Sequence, residues 1–311
     1  MNEKKEARRA AKKAASGTKR KSNLSTLILV AMLVAGIAIM AYPTFSNWWN
    51  SFHQTRVIAG YSAKVEQIDQ ESIDAMIDAA RAYNASLPLK ENPFAMTDED
   101  MERYNSLLDI SGTGVMGYVQ IPSIKVDIPI YHGTGNAALQ TAVGHIDWTS
   151  LPVGGEGTHA AISGHRGLPR ARLFTDLDQL KEGDTFTITV LNYRISYEID
   201  QIRIVDPGDV SDLIIVPGED YCTLVTCTPY GINTHRLLLR GHRVANEDGE
   251  MLVVAPEAYR IPNYLTIPAV AIPLLFLFLL GMLIYYRHRR PELEDPEDLE
   301  IKNVNTHDRK E

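Results

Sequence analysis

The chain has 311 residues, 45% hydrophobic and 23% charged, which suffices for one sizeable domain with appendages and does not require two. Its net charge of −8 is unevenly spread: residues 1–23 carry +7 and residues 287–311 carry −2, leaving −13 for residues 43–264. So acidic a middle is a poor match for nucleic-acid phosphates.

In chain order, the basic tail of residues 1–23 leads into LSTLILVAMLVAGIAIMAY, residues 24–42, which holds no charged side chain. That length matches the roughly 20 apolar residues a helix needs to cross a bilayer. It exceeds the ~7–15-residue apolar core of a cleaved signal peptide, so an uncleaved anchor is expected. Beside such a span, the basic tail reads as a topology signal touching anionic lipid rather than as a nucleic-acid arm.

Residues 61–87 repeat Val65, Ile68, Ile73, Met76, Ile77 and Ala80 at three-to-four-residue steps and predict a packing helix ended by Pro88. Residues 87–114, polar and broken by Pro93, predict a loop or a partly ordered excursion. From Gly117 the pattern changes to short β runs bounded by Gly, Pro, Asn and Asp: GYVQI, KVDIPIYH, GTHAAISGH, DTFTITVL, RISYEIDQIRIV, YCTLVTC and HRLLLRGHR. So many closely spaced runs predict a mostly β fold, a closed barrel or sandwich, with ARLFTDLDQL as a helical turn or two.

LTIPAVAIPLLFLFLLGMLIYY, residues 265–286, is a second charge-free run, and its two prolines are tolerated in membrane helices. RHRR follows it at once. With basic flanks on both spans, the positive-inside rule keeps both termini in the cytoplasm and the segment between them outside.

The chain's two cysteines, Cys222 and Cys227, share one predicted strand. At ~3.3 Å per residue their Cα atoms lie ~16 Å apart on opposite faces, too far for a disulfide. Cys222 is expected to be buried. Cys227 ends the run TLVTC before TPYG, where a strand end opens into a loop, and that is where sites are commonly built. A lone cysteine there is more often a small buried hydrophobe. To act as a nucleophile it needs a base and a donor for the oxyanion.

Among His132, His145, His159, His165, His235 and His242, His165 stands in a turn between glycines just after an apolar run, His159 sits mid-strand as a structural residue, and His235 and His242 remain rivals by proximity. Arg236 opens the strand that antiparallel pairing would return beside Cys227, although a strand-edge arginine is usually a solvated charge. No histidine or cysteine spacing matches a metal site, and no cofactor is expected.

TLVTC followed by HRLLLRGHR, with SGHRGLPRARLFTDLDQLKEGD, GVMGYVQIPSIKVDIPIYHGT and LPVGGEGTHAAISGH upstream, closely resembles the sortases, specifically the pilus-assembling class C sortases. The likeness covers most of residues 62–262. It implies a closed eight-stranded β-barrel with N-terminal helices and a lid loop, flanked by two transmembrane helices. Cys227 then corresponds to the nucleophile, His165 to the catalytic histidine and Arg236 to the catalytic arginine, as oxyanion donor or substrate clamp. The implied reaction is transpeptidation of a Leu-Pro-x-Thr-Gly-like signal through a thioester, joining its threonine to a pilin lysine. Asn92-Pro93-Phe94 looks like the lid anchor, with Asn where the family has Asp.

The expected organisation is a cytoplasmic tail (1–23), a span (24–42), an extracellular helical region with the lid (43–110), the catalytic barrel (111–250), a linker (251–264), a span (265–286) and a cytoplasmic tail (287–311). Expected partners are sorting signals, an acceptor amine and membrane lipid, with no nucleic acid. The alternatives are an anchoring sortase that uses a cell-wall precursor amine, and a non-catalytic binding module on the same barrel.

Overall fold

The computed structural model describes residues 3–89 and 94–246 and the helical positions Phe276 and Gly281, with side chains from residue 28 onward. The chain divides at Pro256, and of the C-terminal unit only those two positions are described, so the expected span 265–286 otherwise lies outside the described residues.

The first apolar run does not stand alone. It is part of one continuous helix, α1 (Glu3–Val65), which passes through Pro43 without ending. From Ile28 to Tyr42 its large side chains face outward on every side, among them Leu29, Met32, Leu33, Ile39 and Met40. An apolar surface all round, with a mean hydropathy of 2.2 over its candidate span, is the composition of a helix able to cross a membrane.

Beyond the apolar run the same helix becomes a barrel element. The Ser46 hydroxyl donates to Arg170 O, Arg172 N donates to Asn47 Oδ1 at 2.8 Å, and Asn50 and Gln54 both donate to Thr141 O. Further along, the buried Tyr61 hydroxyl donates to Met116 O and accepts from Leu191 N, each at 2.8 Å.

Helix α2 (Gln70–Ser86) starts at Asp69, whose carboxylate accepts from Ser72 N, and buries Ile73, Ile77, Ala80 and Tyr83 along one stripe. Asn84 on that stripe exchanges two hydrogen bonds with the Leu151 backbone, as a strand neighbour would. Within the loop or partly ordered excursion expected over residues 87–114, a helix that the sequence reading did not foresee forms, α3 (Asp98–Ser106). A capping box starts α3: Thr97 Oγ1 accepts from Asp100 N, and Asp100 Oδ2 accepts from Thr97 N. Its one buried residue, Tyr104, anchors it to the barrel.

Eight strands close the barrel: β1 (Val115–Ile121), β2 (Val126–His132), β3 (Val143–His145), β4 (Thr158–Ser163), β5 (Thr185–Val190), β6 (Tyr193–Val205), β7 (Asp220–Thr228) and β8 (His235–Val244). Their order round the barrel is β1-β2-β3-β4-β7-β8-β6-β5. β2/β3 and β4/β7 pair in parallel and the rest antiparallel. The seven apolar runs become seven of these strands, and the eighth, β3, is only three residues long. Helix α4 (Asn136–Leu139) precedes it, and the turn expected in ARLFTDLDQL is a single 3-10 turn at Leu177–Gln179.

The interior is filled by alternate strand residues, including Ile162, Ile188, Cys222, Leu224 and Leu239, and by Phe174 from the β4–β5 connection. Phe186 stacks on Tyr197 at 5.5 Å, against Gly241, where an added Cβ would come within 2.8 Å of the Phe186 ring. On the outer face of β4, β7 and β8, Ala161, Val225 and Leu238 form a second apolar cluster with Leu213 from the β6–β7 connection, flanked by Ile146, Trp148 and Val205.

Candidate active site

Alternation along β7 separates the two cysteines as the odd offset requires. Cys222 and Leu224 point into the barrel and are fully buried, while Cys227 lies on the outer face with Val225 and is half-buried. Burial pushes the Cys222 thiol well above its ordinary range, which keeps it protonated and inert.

The antiparallel register of β7 and β8 sets Arg236 directly opposite Cys227, with Val225 opposite Leu238 one step below. Residues facing each other in such a ladder project to the same side, so thiol and guanidinium share the outer face. The Arg236 Nη1 atom turns back on its own turn, donating to His235 O at 3.2 Å and Asn233 O at 3.4 Å.

The third residue arrives through the parallel partner strand. Ser163 of β4 pairs with Val225 of β7, and Gly164 N extends that ladder by donating to Val225 O at 3.0 Å. Two residues beyond the pair on each strand stand His165 and Cys227. The turn carrying His165 is held from several sides: Phe174 N donates to His165 O, and Gly167 N donates to Thr175 Oγ1. The Thr226 hydroxyl donates to Gly164 O at 2.8 Å.

The other histidines are engaged elsewhere. His145 donates from Nε2 to Ser150 O and faces the Tyr104 hydroxyl with Nδ1, and burial lowers its pKa to about 3. His132 places its two ring nitrogens on the Gly114 and Leu107 carbonyls. His159 donates from Nδ1 to Ile214 O, so Nε2 accepts from the Thr223 hydroxyl at 2.7 Å, and burial lowers its pKa. That pair pins the β6–β7 connection onto the outer face. His242 lies near the opposite end of β8, and His235 faces Asp206 at 3.6 Å.

Sequence reasoning missed three residues that hold this end together. Thr223 and Thr226, both buried, use their hydroxyls on the neighbouring strand β4 and its turn, which explains why hydroxyl side chains stand inside the otherwise apolar run TLVTC. Buried threonines in an apolar run are the signal, since each needs a partner. Arg166, its side chain only 9% exposed, pairs with Asp178, reaches Thr228 Oγ1 at 3.3 Å and lies near the Tyr230 ring. It thereby ties the turn after β4 to the turn after β7.

Of the expected lid, Phe94 packs edge-on against Trp148 at 5.0 Å, beside the outer apolar cluster, while Asn92 and Pro93 lie outside the described residues.

A half-buried thiol at one end of a closed mixed barrel, opposite an arginine on β8 and with a histidine in the turn that follows the parallel neighbour β4, offers the groups that cysteine transpeptidation would need. Residues 119–244 match the family model described as the Sortase domain. A sortase A from Streptococcus agalactiae serotype III is 24% identical over 205 residues, covering 65% of this chain and 77% of that protein. The crystal structure of sortase C1 from Streptococcus agalactiae superposes with a TM-score of 0.61 at 50% identity, covering 62% of this chain and all of that one. A Streptococcus pneumoniae sortase C, solved for insight into catalysis and pilin substrate specificity, gives 0.54 at 41% identity, with 61% and 97% covered. The chain belongs to the sortase family, and its structural neighbours are class C sortases at 40–50% identity. It is therefore an enzyme, and the reading as a non-catalytic binding module falls.

Proposed function

We propose that this sortase is membrane-anchored and cleaves a Leu-Pro-x-Thr-Gly-like sorting signal after threonine, joining the threonine to a lysine amine of another pilin subunit. The carrying observation is the register that sets Arg236 opposite Cys227, with His165 two residues past the end of the β4/β7 ladder. The pilin specificity of the Streptococcus pneumoniae neighbour supports the choice of substrate. So does the apolar outer cluster around Val225 and Leu238, which leads up to Cys227 and suits the Leu-Pro side chains of such a signal.

In this reading the Cys227 thiolate attacks the threonine carbonyl carbon, and the C–N bond to glycine breaks as His165 gives its proton to the departing amine. The acceptor amine then attacks the thioester carbon and gives a proton to His165. The C–S bond breaks, and the thiolate is restored. Arg236, swung from its own turn, neutralises the oxyanion or holds the substrate backbone.

The proposed topology is the two-pass one, with spans 24–42 and 265–286, the helical region 43–110, the barrel 111–250 and the linker 251–264 outside, and tails 1–23 and 287–311 in the cytoplasm. Asn92-Pro93-Phe94 would act as a lid, anchored by Phe94 on Trp148, that shields the thioester from water.

Incubation of the enzyme with a sorting-signal peptide and a lysine-bearing pilin tests the reaction. Cys227→Ala is expected to abolish cleavage and Cys222→Ala to leave it. Cleavage surviving Cys227→Ala would refute the assignment, and a product formed only with a cell-wall amine would refute the pilin role.

A further inference from the structure

Helix α1 lies along the barrel in a fixed direction, and that direction settles which end of the barrel meets the membrane. The strands β1, β4, β6 and β7 all run toward the end that carries Cys227, and β2, β3, β5 and β8 run away from it. Residues Ser46 and Asn47 of α1 bond Arg170 and Arg172 in the β4–β5 connection, at the Cys227 end. Asn50 and Gln54 bond Thr141, just before β3 starts from that same end. Tyr61 bonds Met116 at the start of β1 and Leu191 in the β5–β6 turn, at the far end. The helix therefore enters at the cysteine end and leaves at the opposite one, ~21 Å away at 1.5 Å per residue.

The apolar side of α1 lies before Ser46. From Tyr42, the last residue of the charge-free apolar run, Ser46 and Asn47 are ~6–8 Å further along the helix, within a headgroup layer ~5–8 Å thick. Phe45, Trp48 and Trp49 sit at the same height, in mutual ring contact, with Phe45 and Trp49 exposed. Aromatic rings of this kind collect at the membrane–water boundary. Pro169, Arg170 and Arg172, on the loop bonded to that stretch, are exposed, and Arg172 also pairs with Asp176.

We propose that the Leu168–Arg172 loop and the Phe45–Trp49 stretch form one contact surface for the phospholipid headgroup layer, so that the Cys227 end of the barrel faces the bilayer. The proposal rests on the reading of residues 24–42 as a membrane span. Its partner is the outer headgroup layer itself, chosen by continuity with the apolar helix and by the exposed Arg170 and Arg172 lying on the loop that bonds the stretch bearing the exposed Phe45 and Trp49. A substrate must then reach the thiol from the side, in the plane close to the membrane, because the opening of the site is turned toward the lipid.

The test uses the full chain with Cys227→Ala, leaving only the inert Cys222, reconstituted in phospholipid vesicles whose headgroups carry a nitroxide. A fluorophore is placed at Pro169→Cys in one sample and at Glu219→Cys in another, Glu219 being exposed and adjoining the start of β7, at the far end. The label at 169 is expected to lose most of its emission and the label at 219 to keep it. Equal quenching at both positions, quenching at 219 alone, or none at either would overturn the orientation. A carbonate wash separates the two readings: a chain washed off the vesicles would refute the membrane span itself, whereas a retained chain with an unquenched label at 169 would refute only the headgroup contact.

Discussion

Replacing Thr226 with valine should uncouple the two strand ends that carry Cys227 and His165. The side chain keeps its shape, but the hydroxyl that donates to Gly164 O at 2.8 Å is lost, at a position only 1% exposed. An unsatisfied buried acceptor costs about 1–3 kcal/mol. At ~2–4 °C per kcal/mol for a domain of this size, the melting temperature should fall by roughly 2–12 °C. Thermal unfolding of the detergent-solubilised chain, followed by near-ultraviolet circular dichroism, measures the shift, and peptide cleavage measures the consequence for His165. Thr226→Ser keeps the donor and should recover most of both losses. A Thr226→Val variant within about 0.5 kcal/mol of the parent, the range of a bland surface change, would refute the tether. So would a serine variant as damaged as the valine one.

Other substitutions probe the same end. Gly164→Ala would set a Cβ 2.7 Å from Phe174 and 2.8 Å from Val143, both fully buried, so a loss of about 1–3 kcal/mol in chemical denaturation is expected, together with reduced cleavage. Arg166→Met should lower cleavage by loosening the turn that bears His165, and Arg166→Lys should restore part of it, because one ammonium can still meet Asp178. Deleting residues 91–95 should speed alkylation of Cys227 by a thiol reagent, and an unchanged rate would argue against the lid. His145 is held neutral by burial, with a pKa of about 3 against 6.5 in the unfolded chain, so its contribution is complete above pH 6.5 and is lost as pH falls toward 3. Between pH 7 and pH 5 that loss should be on the order of 2 kcal/mol in the denaturation midpoint, and His145→Gln should flatten this part of the profile.

The long strands were legible as short β runs between strong turn signals, some of them, such as DTFTITVL, with apolar residues at every second position. β3 was not, since three residues carry no period. Helix α3 was hidden by its polar sequence, and only the Thr97–Asp100 capping box marked its start, with aspartate in place of the usual glutamate. The apolar run to Tyr42 read as a self-contained span because its apolar composition ends there, but packing of Asn50, Gln54 and Tyr61 on the barrel carries the helix onward.

At the site, the Cys227–Arg236 pairing followed from a hairpin, which is local. His165 comes alongside through a parallel pairing between strands more than fifty residues apart, and no sequence period reports such a partner. The resemblance to sortases supplied what periodicity could not. Arg166 remained hidden because its partners, Asp178 and Thr228, lie on two other segments.

The placement of two cysteines on opposite faces of β7 also limits how this segment can change over time. Deleting or inserting one residue between them would invert the alternation beyond the change, turning Cys227 into the packed interior and swinging Thr226 outward. Substitutions in TLVTC can be graded in cost, but a change of length there exchanges the outward-facing sulfur of Cys227, the proposed nucleophile, for a sealed one. Related chains that keep the chemistry should therefore vary in spelling across these positions and never in residue count.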